Sequence, residues 1–140
     1  MGFGGLRCAV MAYLCHKYYV NRAQSVYRWT EQLYPHRFQP ILPIHQAEEI
    51  IKHVCLAYSK DIPKLITGYH SRTNGKIIEL PHQARTLPII LHELAHVIVM
   101  ENDDDPHGTN FMKIISELYV AFLPRSREEI YAEARIFGLI

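Results

Sequence analysis

Cysteine is scarce in this chain, and the little there is excludes a disulfide scaffold. Cys8, Cys15 and Cys55 are the only three in 140 residues, with no C-x-x-C pair among them. An odd count without paired spacing points to small core hydrophobes in a reducing, cytoplasmic compartment. An excess of one charge is also lacking. The net charge is +1, too little to create a global field that draws nucleic acid or an anionic membrane. No apolar run approaches the roughly 20 residues of a membrane-spanning helix. The short one from Cys8 to Cys15 has no small-x-small cleavage site after it, so it is expected to be mature protein. Internal repeats and low-complexity tracts are absent.

What remains is a chain of one domain's length that is 49 % hydrophobic, enough for a single core without staples. The spacing of apolar residues predicts an α+β, mostly helical domain spanning 1–140. Residues 6–34 read as helical, in one piece or two, with Val26, Trp29 and Leu33 inward, and Pro35 stops them. This N-terminal segment, 1–40, holds five Lys/Arg against Glu31 alone. A proline-bearing connector, 35–43, precedes a helix over 44–59 with Ala47, Ile50, Ile51, Val54 and Cys55 in one stripe. Between Leu65 and Leu80 the period changes, and Asn74-Gly75 between β-prone runs predicts a hairpin with a primed turn. Helices are expected over 85–100 and 109–123. A last helix begins at Ser126, where Ser126-Arg127-Glu128-Glu129 has capping-box spacing. The acidic loop 101–108 between the middle two reads as a solvated turn.

The helix expected over 85–100 carries the chemistry. Three polar residues, His92, Glu93 and His96, interrupt the apolar run from Ile89 to Met100. At i and i+4 the two imidazoles point the same way, and Glu93 borders their stripe. Burying these groups without partners is costly, and a divalent metal supplies the partner. His-Glu-x-x-His is the spacing in which two histidines hold Zn²⁺ and the glutamate acts as general base on a water that the metal activates.

A catalytic zinc takes three protein ligands and leaves one position to water. The metzincin arrangement is excluded, because the positions of its glycine and third histidine hold Val99 and Asn102. Two candidates remain. His107 lies where a loop enters a helix and is followed by Gly108, which lets the backbone approach closely. Glu117 lies on the next helix, near the spacing of thermolysin-like glutamate ligands. His107 is the preferred ligand, since Glu117 is otherwise explained as a polar residue on an amphipathic helix. Tyr69, His70 and Tyr119 are candidate oxyanion donors. The remaining histidines, His16, His36, His45, His53 and His82, show no ligand spacing among themselves.

Taken in order, the strand Lys76-Ile77-Ile78-Glu79-Leu80, then His92-Glu93-Leu94-Ala95-His96, then His107-Gly108-Thr109-Asn110-Phe111, resembles the SprT-like zinc metallopeptidases over residues 64–122. The resemblance implies a zincin-like fold, zinc held by His92, His96 and His107, Glu93 as catalytic base and Phe111 as packing. It further implies that strand 76–80 is a sheet edge along which a peptide or protein substrate lies as an added strand. The expected function is therefore zinc-dependent peptide hydrolysis. The alternatives are a catalytically silent zincin-fold binding module, and a nucleic-acid-associated protein or protease using the basic N-terminal segment. The paired cysteines of a zinc ribbon and the basic tails of DNA-repair members are not present.

Overall fold

The computed structural model describes residues 20–100 and 105–140. Residues 6–19 of the helical stretch expected over 6–34, with Cys8 and Cys15, and residues 101–104 of the acidic loop lie outside the described residues. Among the described residues are five α-helices and a three-stranded sheet, an α+β arrangement dominated by helix. The helices are α1 (residues 20–33), α2 (Ile44–Ala57), α3 (Leu87–Val99), α4 (Thr109–Phe122) and α5 (Arg127–Ile136). The strands are β1 (Lys64–Thr67), β2 (Arg72–Thr73) and β3 (Ile77–Leu80).

The α3 helix is central because, apart from the His92, Glu93 and His96 stripe, it is apolar all round. Ile90, Leu91, Leu94 and Ala95 are wholly buried, and Val97, Ile98 and Val99 nearly so. A helix with so little surface left for solvent must be surrounded. Pro88 in its first turn is compatible with a helix start, where no intrahelical N–H bond is needed. Helices α2 and α4 flank it, and α5 packs on α4.

Helix α1 reaches the same core through Val26, Trp29 and Leu33 at helical spacing. Trp29 stacks on Tyr119 of α4 at 5.2 Å and donates its indole N–H to the Ile130 carbonyl of α5 at 3.2 Å. Removing so large a buried ring costs about 3–5 kcal/mol, a large share of the ~5–15 kcal/mol that holds a domain folded. The connector that follows contains a short 3-10 turn, His36–Phe38. It is anchored where Leu42 N–H donates to the Arg85 carbonyl at 2.8 Å and Arg85 Nε donates to the Leu42 carbonyl at 2.7 Å. The Ser126 hydroxyl caps α5 by accepting from Glu129 N–H, as its spacing predicts.

The sheet corrects the expected hairpin and the expected edge. Its order is β1-β3-β2, with β1 parallel and β2 antiparallel to β3. The hairpin around Asn74-Gly75 exists, with Gly75 at φ 88°, but its first arm is Arg72–Thr73. Lys64–Thr67 crosses to the far side of β3. Strand 76–80 is therefore the middle of the sheet and cannot serve as its edge. The physical reason is the Glu79 carboxylate, which accepts from the N–H groups of Tyr69 and His70 at 3.0 and 3.1 Å and pairs with Arg72 at 3.0 Å. These bonds fold residues 68–71 over the end of β3. Gly68 permits it, because a side chain there would occupy the space that the Glu79 side chain fills.

Candidate metal centre

The helical spacing of α3 places His92 and His96 with their Nε2 atoms 3.2 Å apart. The loop before α4 brings His107 beside them, its ring 4.8 Å from His96 and 5.5 Å from His92. One nitrogen from each of the three rings lies within 4.8 Å of the others, and the group can hold a metal ion. Phe111, one turn into α4 and fully buried, is the platform beneath them. Its ring stacks on His96 at 4.5 Å and meets His92 and His107 edge-on at 5.1 Å.

The His107 loop is built for this. The Asp105 carboxylate accepts from His107 N–H at 3.1 Å, and the Asp105 carbonyl accepts from Gly108 N–H at 3.1 Å. A Cβ on Gly108 would press on the Asp105 side chain at 3.0 Å. From α1, the Arg22 guanidinium donates to the His107 carbonyl and, at 3.0 Å, to the Leu139 carbonyl.

A metal fits this cluster by its unmet bonding. His107 Nε2 is buried and has no hydrogen-bond partner, a state that buried polar atoms seldom keep. Burial lowers all three histidine pKa values, His96 to about 4, and the neighbouring rings press those of His92 and His96 down further. Neutral imidazoles with free lone pairs are the form that binds metal. Glu93, 2 % exposed, is pushed up by burial to about 7. A cation nearby would favour its charged form.

Glu117 is committed elsewhere. It pairs with Arg127 and accepts from the Tyr131 hydroxyl at 2.7 Å, on the side of α4 that faces α5. Of the candidate oxyanion donors, Tyr119 is buried with its hydroxyl 3.0 Å from that of Thr30. Tyr69 is 93 % exposed, and the backbone N–H groups of Tyr69 and His70 are spent on Glu79.

Tyr27 is the site residue that sequence reasoning missed. Its ring stacks on His92 at 5.0 Å and 15°, and stands edge-on to His107 at 6.3 Å. Burial and the Glu93 charge both raise its phenol pKa. A signal existed: Tyr27, Glu31 and Tyr34 recur at i, i+4 and i+7, a second stripe along α1 and the residue that follows it, beside the core stripe. That stripe faces a cavity of about 360 Å³, which opens against His92 and Glu93.

Among the described residues, two of the N-terminal basic side chains are engaged within the fold. Arg22 is bound to carbonyls, Arg28 borders the cavity and Arg37 sits over the Phe38 ring at 4.6 Å. Arg7 and Lys17 lie outside the described residues. Among the described residues no helix is long and apolar enough to cross a membrane. The chain matches no protein-family model, no curated protein and no solved structure.

Proposed function

We propose that this protein is a zinc-dependent peptidase of SprT-like type. The observation that carries the reading is the convergence of three neutral imidazoles, one with an unpartnered buried nitrogen, beside a buried glutamate. Imidazole donors suit zinc, and three of them leave a position open for catalysis. When bound there, zinc would supply Lewis acidity, making a water acidic near neutral pH and polarising a carbonyl.

The chain's own residues do the rest. His92, His96 and His107 hold the ion in their neutral form, and Phe111 and Tyr27 fix the ring planes. Glu93, one residue from a ligand and shielded from bulk water, takes the proton of the attacking water on its carboxylate and passes it to the leaving amine. Phe111 and the buried α3 surface keep competing water from the ligands' apolar side. For substrate alignment, the free edge nearest the site is β2, which packs on α3 and is preceded by Ser71 at the cavity wall. An extended peptide added to that edge would run past Glu93.

The test is metal content together with turnover. Purified protein should hold about one zinc per chain and cleave unstructured peptides, and Glu93→Gln should keep the zinc and lose cleavage. Metal-free, fully folded protein would sink the reading. Bound zinc with no cleavage of any peptide by the wild type would favour a silent binding module.

A further inference from the structure

Two aromatic side chains from outside the histidine cluster contact His92, and they differ in their surroundings. Phe111 meets its ring edge-on and is fully buried. Tyr27 lies nearly parallel to it, at 5.0 Å and 15°, and is 51 % exposed. A ring needed only to hold an imidazole could have been a second phenylalanine. What tyrosine adds is a hydroxyl, able to donate and to accept.

Among the described residues that hydroxyl has no hydrogen-bond partner. Its place is set by α1, whose wholly buried Val26 and Trp29 fix the rotation of the helix and leave Tyr27 on the adjoining face. There it borders the cavity that opens against His92 and Glu93. Burial and, after it, the Glu93 charge raise the phenol pKa, so the group keeps its proton within the field of the candidate base. Peptide hydrolysis needs such a neutral donor, because negative charge develops on the carbonyl oxygen under attack. The other candidates are committed: the Tyr119 hydroxyl lies against that of Thr30, and the N–H groups of Tyr69 and His70 go to Glu79.

We propose that Tyr27 is a catalytic residue of the peptidase, its phenol donating a hydrogen bond to the carbonyl oxygen of the bond being cut while its ring holds His92. The assignment rests on the peptidase reading. No proton leaves Tyr27. As the water oxygen bonds to the carbonyl carbon, the C=O electron pair moves onto oxygen and the water proton goes to Glu93; the pair returns when the C–N bond breaks and the amine takes that proton.

Tyr27→Phe removes the hydroxyl and keeps the ring. With zinc bound it should lower kcat by about 10²-fold, the low end for losing one oxyanion donor, with KM changed less than about twofold. Its zinc affinity should equal that of the wild type. The readout without turnover is binding of an amidated phosphinic Phe-Ala pseudopeptide, whose charged tetrahedral oxygens mimic the transition state. Tyr27→Phe should bind it at least about tenfold more weakly, whereas the ordinary Phe-Ala peptide should bind Glu93→Gln protein equally with and without the added Tyr27→Phe.

Wild-type kcat in Tyr27→Phe overturns the proposal, as does equal affinity for the phosphinic compound or a loss confined to KM or to zinc binding. A kcat loss found in Arg28→Gln and not in Tyr27→Phe overturns it too, since Arg28 also borders the cavity. Wild-type protein that binds zinc and cleaves no peptide removes the peptidase reading. The phosphinic affinity ratio then decides on Tyr27 alone: about tenfold keeps its hydroxyl as the donor, and equality strikes it.

Discussion

Glu79 and the histidine cluster are both polar groups set into the sheet-and-helix core, and they are built in opposite ways. Glu79 is saturated: two backbone N–H groups and the Arg72 guanidinium surround its carboxylate, which holds its pKa below the usual carboxylate value. In the histidine cluster His92 is buried, the imidazole nitrogens face one another, and one of them, His107 Nε2, has no partner at all. Saturation marks a group that shapes the fold. Want of partners marks a group kept for something that comes from outside. By that criterion Glu117, bound to Arg127 and Tyr131, belongs with Glu79, and His107 belongs with the candidate ligands.

The largest test of this contrast is at Glu93. Glu93→Gln should lower turnover of a fluorogenic peptide by about 10²–10⁴-fold, the range for losing a general base, with zinc retained. Next in size, His107→Ala should weaken zinc binding, measured against a chromophoric chelator, by more than the ~10–100-fold typical of outer-shell changes, whereas Glu117→Ala stays below that range. A Glu117→Ala protein that loses its metal would break the comparison.

A smaller effect is expected from pH on metal-free protein. His92, His96 and His107 have folded pKa values below the ordinary 6.5, that of His96 about 4. Stability that depends on their being neutral is fully present above pH ~6.5 and is lost as pH falls toward 4, because the unfolded chain takes up the protons first. Glu93, raised to about 7, works in the opposite direction with one proton against three. Denaturant midpoints of chelated protein should therefore fall from pH 7 to pH 5, and zinc should flatten the dependence; an acid-stabilised apoprotein would contradict it. Smallest of all, Glu79→Ala should lower the melting temperature modestly and leave zinc affinity unchanged, which separates the saturated group from the unsatisfied ones.

Much of the site was legible because its logic is local. The i, i+4 pair on an apolar helix, Gly108 after His107, and the Ser126 cap each depend on a few neighbouring residues, and the structure places them as their spacing predicts. The sheet was legible only in part. Asn74-Gly75 marks a turn, yet which runs pair across it depends on Glu79 reaching residues 69 and 70, a contact between side chain and backbone that no periodicity encodes. Tyr27 was harder to read for a related reason, although its stripe was there to be seen. Tyr27 lies outside the core stripe of α1, and its value comes from α3, 65 residues later in the chain.

Arg22 carries a consequence for how the protein assembles. It ties the His107 carbonyl, 85 residues away in sequence, to the Leu139 carbonyl, 117 residues away. Contacts of that separation close large loops, so they form after the local ones and slow the search for the native state. The two candidate ligands on α3 can meet as soon as that helix winds. The third is pinned only once segments from opposite ends of the described chain have converged. Ribosome-bound chains of increasing length should therefore gain full metal affinity late, when the Leu139 carbonyl becomes available to Arg22.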